Sequence, residues 1–308
     1  MNVIDSLKED YGIEINHNEL ITDKTYKIIC ENKNCYFVKK TKEELEDKYN
    51  FLLNQGVNNI LYPLFNNKQK FITRSNQNAY YVNDYIDNYQ LVKDSNAYNM
   101  VNALDKLHLS TVIKKQLSIS KARPKFEELT EQLDYKFKLI ENFIRKLETR
   151  SLNESSYVFL ENYHIILNAK QHMIRLQKNI ILSIKSNQSV EYVFLHNNPK
   201  IDHFIMSRGS GYLTSIDNSK IGIDGLDYAK FYIENHDLDL DFKKVLFDDN
   251  YSHKEDFYYN YFCFMVLFIY IKRINISNMN MINLEDFVQN CKSIDKFIHD
   301  FLNKNQEI

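Results

Sequence analysis

The hydrophobic period of this chain changes near residue 85, and that change constrains its fold more than any other feature. Before it, apolar residues fall in short strand-like runs: Glu14–Ile21, Tyr26–Cys30, Cys35–Lys39, Leu61–Phe65, Lys70–Thr73 and Tyr80–Asn83. The polar cluster Glu31-Asn32-Lys33-Asn34 separates the second and third runs and predicts a hairpin. One helix interrupts the series, Thr41–Gln55, with Leu45, Tyr49, Leu52 and Leu53 at helical spacing and Gly56 just past its end. A linker is expected over Ile86–Leu91, and helical periodicity follows it in Tyr98–Leu109, Phe126–Leu147, Tyr157–Ile184 and the stretch from Leu226 onward. Between Val193 and Ile216 the helical period breaks, leaving two short strand-like pieces, Phe204–Met206 and Tyr212–Ile216. The expected fold class is α+β: a small antiparallel-sheet lobe with one helix over residues 1–85, then a larger, mainly helical lobe over residues 86–308.

Composition supports a folded chain and narrows its partners. With 308 residues, 44% apolar and 26% charged, a substantial core is expected and disorder is not. A formal net charge of -2 leaves no basic excess, which argues against a nucleic-acid partner. Cys30, Cys35, Cys263 and Cys291 form no CxxC pair and match no zinc spacing, so buried thiols in a reducing compartment are expected. Met1–Tyr11 is acidic and lacks the apolar segment of a signal peptide. The apolar run Tyr261–Ile271 is short of the roughly 20 residues a bilayer needs and is closed by Lys272 and Arg273. The expectation is cytoplasmic synthesis without a membrane span.

The segment most informative about chemistry is Leu195–Ile205, LHNNPKIDHFI, which lies in the non-helical stretch. A His, a residue two on, another five further on, and then a strand hairpin ending in Asp is the order of a kinase catalytic loop and its metal-binding Asp. A working loop has Asp in the middle position, to accept the substrate hydroxyl proton, and Asn in the later one, to hold magnesium; the terminal Asp holds magnesium against the phosphates. Here the three positions read Asn198, His203 and Asp217.

In this order the chain resembles the aminoglycoside and choline phosphotransferase branch of the protein-kinase-like superfamily, and within it the CotS/YutH-type spore coat proteins. The branch's HGDxxxxN loop corresponds to His196 through His203, with the spacing kept and the Gly, the catalytic Asp and the metal Asn replaced. The stretch from Ile216-Asp217 through Gly222 to Asp227-Tyr228-Ala229 resembles its IDxxxxxxGxxxxDLA pattern. Leu104-Asp105-Lys106-Leu107-His108 resembles its LxxLH helix end, and Tyr36-Phe37-Val38-Lys39 its lysine-bearing strand. The resemblance implies a two-lobed kinase-like fold, a nucleotide-binding remnant of Lys39, Glu46 and Asp217, and structural roles for His108, His196 and Asp227. Magnesium would fall to Asp217, and only with a nucleotide. Glu43, Glu44 and Asp47 are the other acidic neighbours offered as ion-pair partners for Lys39, and Glu46 is the one favoured.

The loop is degenerate. Asn198 is no carboxylate base, His203 is a poor magnesium ligand, and no glycine falls between Leu20 and Tyr36, where a loop over phosphates would lie. The expectation is a non-catalytic protein, a structural or assembly component of the spore coat by resemblance, with coat or assembly proteins as partners and no cofactor. One rival is an active small-molecule phosphotransferase using ATP and magnesium, with Asp202 or Asp224 replacing the lost carboxylates. Another is a nucleotide- or metabolite-binding module without chemistry.

Overall fold

The computed structural model describes residues 3–75, 78–86, 92–116, 119–149, 153–187, 189–207, 209–248, 256–275 and 282–303. The chain forms two compact units. The first comprises Met1–Val112, Val193–Gly222 and Asp237–Asp239; the second comprises Ile113–Tyr192, Ile223–His236 and Leu240–Ile308.

The first unit opens with a helix that the sequence reading did not anticipate, α1 (Val3–Tyr11). A five-stranded antiparallel sheet follows, built from β1 (Ile15–Thr22), β2 (Thr25–Cys30), β3 (Cys35–Thr41), β4 (Thr73–Ser75) and β5 (Asn78–Asp84), in the order β1-β2-β3-β5-β4. Leu7, Ile13, Ile28, Val38, Tyr80 and Val82 form its core. The polar cluster after β2 turns the chain with Lys33 at φ 66°. The helix predicted from Thr41 begins later, as α2 (Leu45–Asn54), and buries Leu45, Tyr49 and Leu52. The strand expected over Leu61–Phe65 does not form. Pro63 lies in its middle and has no N–H to give a ladder. The segment runs irregularly instead, with Leu61 N donating to Leu213 O and Leu64 N to Val82 O. The run expected over Lys70–Thr73 pairs only from Thr73 on, as β4. Most of the expected linker, residues 87–91, lies outside the described residues. Helix α3 (Lys93–Ser110) completes the N-terminal portion of the unit.

Val193–Gly222 contributes the rest. Strand β7 (Ser189–Leu195) enters the unit at Val193 and pairs there with β10 (Lys220–Gly222), Leu195 opposite Lys220. Between them lies the hairpin of β8 (Phe204–Ser207) and β9 (Ser210–Leu213). In the second unit, β6 (Ile113–Gln116) pairs with the start of β7, and five helices supply the bulk: α4 (Ile119–Glu148), α5 (Glu154–Asn187), α6 (Gly225–Asn235), α7 (Asp256–Arg273) and α8 (Ile282–Phe297). The apolar run that is too short for a bilayer is the middle of α7, where Phe262–Phe268 is buried throughout. Around it Tyr232, Phe262, Phe297 and Phe301 meet with ring centroids 4.9–6.4 Å apart. Among the described residues no helix is long and apolar enough to cross a membrane.

Candidate functional site

The site lies within the first unit and is assembled from three pieces of chain: the end of β3, the first turns of α2, and the loops flanking the β8–β9 hairpin. The strand period of β3 sends Val38 into the core, fully buried, and leaves Lys39 half-buried on the other face. Lys39 Nζ donates to Asp217 Oδ2 at 2.7 Å and to Ser215 Oγ at 3.3 Å. Thr41, two residues on and therefore on the same face, donates its hydroxyl to Asp217 Oδ1 at 2.9 Å. Both carboxylate oxygens of Asp217 are thus held by donors from one strand. Burial raises the Asp217 pKa, but the adjacent Lys39 ammonium and the hydrogen bonds from Lys39 and Thr41 lower it further, leaving it below the usual carboxylate range.

Asp217 is aimed by its backbone. Ser215 sits in the left-handed region at φ 57°, a strained conformation for a residue with a Cβ, and starts the single 3-10 turn Ile216–Asn218. Lys48, on α2, fastens that turn by donating to Asp217 O at 2.8 Å and to Ser219 O at 2.7 Å. Burial lowers the Lys48 pKa, against the attraction of Asp217.

The degenerate loop is well ordered by hydrogen bonds. His196 is fully buried; its Nδ1 accepts from Asn198 N, which leaves Nε2–H to donate to Thr214 O at 2.7 Å. Asn197 stands where the resembled loop has Gly, and it adopts φ 62°. That explains the replacement: the position needs a left-handed backbone, which Asn tolerates better than other residues with a Cβ. Its amide also donates to Asn218 O at 2.8 Å. Asn198 O accepts from His203 Nδ1 at 2.8 Å. Burial lowers the His203 pKa, and the Lys39 and Lys200 charges act in the same direction against the Asn198 hydrogen bond and Asp202, so the imidazole is neutral at pH 7.

A cavity of about 610 Å³ collects Lys39, Thr41, Lys48, Asn198, His203 and Asp217 on its wall. A second, of about 290 Å³, is lined by aromatic residues including Phe37, Tyr81 and Tyr85, by Asn83 and Asp202, and, like the first, by Ser215.

No protein-family model matches the chain, and no curated protein matches it. Solved structures do. An aminoglycoside phosphotransferase from Alicyclobacillus acidocaldarius is similar with a TM-score of 0.69 at 9% identity, over 100% of this chain and 98% of that one. An AMP-bound spectinomycin phosphotransferase follows at 0.55 and 15%, over 99% and 98%. The choline kinase LicA from Streptococcus pneumoniae gives 0.51 and 14%, over 96% and 98%. The chain has the phosphotransferase fold. At these identities the likeness speaks for the fold alone.

On that fold, two of the three residues expected as a nucleotide-binding remnant meet, Lys39 and Asp217. The third does not join them. Glu46 turns to the backbone, accepting from Ile72 N at 2.7 Å and from Phe71 N at 3.3 Å, and Lys39 pairs with Asp217 in place of the favoured Glu46. Glu43 pairs with Arg74. Asp202 lines the smaller cavity and not the one that holds Asn198 and His203. Asp224 lies in the second unit, buried, and accepts from Gly225 N at the start of α6. Asp227 is fully buried on α6. His108 is buried at the end of α3, beside Thr111, whose hydroxyl donates to Leu107 O and accepts from Phe194 N.

Magnesium fits this donor set poorly. A hard divalent cation needs oxygen ligands. The cavity offers two carboxylates, Glu44 and Asp217, the latter with both oxygens engaged, beside an imidazole, two amides and five lysines. Among the described residues no group of three or more His, Cys, Asp and Glu is placed to hold a metal ion. Sequence reading missed Thr41, Lys48 and Ser215 as members of the site. The strand period of β3 points to Thr41, whereas Lys48 is one of several lysines and has no local mark.

Proposed function

We propose that this chain is a non-catalytic protein on the phosphotransferase fold. The observation that carries the reading is the state of Asp217: its two oxygens are taken by Lys39 and Thr41, beside a loop that presents Asn198 and His203. Phosphoryl transfer is almost entirely positioning and charge stabilisation. A site without a carboxylate base loses about two to four orders of magnitude, and the metal position is impaired independently. The resemblance to CotS/YutH-type proteins extends the proposal to a structural or assembly role in the spore coat, with other coat proteins as partners. A coat role requires the chain to fractionate with the insoluble coat of purified spores.

The rival, an active small-molecule phosphotransferase, is favoured by the activities named for the similar structures. Incubation with ATP and magnesium decides between them, with sugars, aminoglycosides, choline-like alcohols and the protein itself as acceptors. No transfer above background is expected, and Asn198→Asp alone restores little because His203 remains. Turnover that disappears in Asp217→Ala refutes the non-catalytic reading.

A further inference from the structure

The larger cavity has a charge that the chain as a whole does not. Lys24, Lys39, Lys40, Lys42 and Lys48 line it, against two carboxylates, Glu44 and Asp217, while the whole chain carries a net charge of -2. The excess is placed by specific backbone geometry. The β1–β2 connection is a two-residue turn at Asp23-Lys24, closed by Thr22 Oγ1 and Thr25 Oγ1 at 2.7 Å. Lys40 N donates to Lys24 O at 2.8 Å, which ties this turn to the end of β3. Lysine thus occupies the turn where the resembled fold would bring a phosphate-covering loop. Helix α2 presents another cation, Lys48, beside Asp217.

We propose that this cavity is a metal-independent polyphosphate site, which takes the triphosphate of a nucleotide or an inorganic polyphosphate against lysines instead of against magnesium. The inference rests on the non-catalytic reading above and names its ligand class. It departs from the magnesium-dependent binding that the resemblance implies. A polyphosphate carries several negative charges close together and must be neutralised to enter a partly buried site. Ammonium groups on three elements do this without a metal. A divalent cation would meet these lysines as repulsion, and it would find the Asp217 oxygens already engaged. The 290 Å³ aromatic cavity shares Ser215 with the first, so a base can extend from the same anion.

The test is calorimetric titration of the whole chain with inorganic tripolyphosphate, ATP and adenosine, each in EDTA and again with excess magnesium. Tripolyphosphate is expected to bind in EDTA at least as tightly as with magnesium, and more weakly as salt is raised. Tighter binding of ATP supports a nucleotide source, and equal affinity supports an inorganic one. The double variant Lys24→Ala/Lys42→Ala changes two exposed side chains and is expected to weaken binding in EDTA by about tenfold. Lys48→Met is the more severe variant, and the exposed pair keeps the test readable if it fails to fold. Binding that requires magnesium, no binding of either polyphosphate, or an unchanged affinity in the double variant overturns the proposal. Phosphate release from ATP with magnesium would refute the non-catalytic reading instead, and leaves the EDTA titration as a separate result.

Discussion

Replacing Asp217 by asparagine removes one negative charge and almost no volume, so it isolates the electrostatic part of the site. Two hydrogen bonds are at stake, from Lys39 Nζ at 2.7 Å and Thr41 Oγ1 at 2.9 Å. A hydrogen bond to a charged group contributes about 1.5–3 kcal/mol. The Lys39 and Asp217 side chains keep 18% and 27% of their exposure, so water screens the pair, and asparagine still offers Thr41 an acceptor. The expected loss is therefore about 2 kcal/mol. For a chain of this size that lowers the melting temperature by about 3 °C. A double-mutant cycle with Lys39→Met measures the pair itself, because each single change leaves one partner uncompensated; the double variant should be less destabilised than the sum by about 1–2 kcal/mol. The pH dependence adds an independent check. The folded-state pKa of Asp217 is depressed, so its contribution is fully present above the unfolded value of about 3.9 and is lost as pH falls through the folded value. Denaturant melts of wild type and Asp217→Asn should differ by a constant amount from neutral pH down to about 5 and converge only once the pH is below the depressed folded-state value. A difference that persists in acid, or an additive cycle, refutes the assignment of this ion pair as a stabilising contact of the site.

Three further outcomes follow from the geometry. Asn197→Gly should change stability by no more than about 0.5 kcal/mol, since relief at φ 62° offsets the lost bond to Asn218 O, whereas Asn197→Val should cost about 2 kcal/mol; equal melts for the two would show that the backbone angle is unimportant. Glu46→Ala strips the acceptor from Phe71 N and Ile72 N and should cost about 1–3 kcal/mol, with faster amide exchange at those two residues as the specific readout. Asp227→Ala removes a fully buried carboxylate and should destabilise by about 1–3 kcal/mol; an unchanged melt would end its structural role.

The sequence by itself determined the kinds of element and their order. Alternation of apolar residues marks β2 and β3, helical spacing marks α3, α4 and α5, and the break in that spacing after Val193 marks the β8–β9 hairpin. The loop spacing from His196 to His203 was legible as well, because hydrogen bonds within the loop, such as His203 Nδ1 to Asn198 O, depend on local chain length. Strand β6 was not legible, since Ile113–Gln116 reads IKKQ and carries too few apolar residues for a period. The Leu61–Phe65 error came from weighing the apolar run above Pro63. What only the tertiary structure decided is which charges face one another. Lys39 and Asp217 are 178 positions apart, and Lys48 and Ser219 are 171 apart. Four acidic residues near the start of α2 were closer in sequence to Lys39 than Asp217 was. Glu46 was drawn instead to unpaired backbone N–H groups at Phe71 and Ile72, and Asp202 fell on a different cavity from Asn198. Local propensity fixes the direction of a side chain relative to its own element. The partner it meets depends on how distant segments pack, and that information is carried by the whole core and not by the residues of the site.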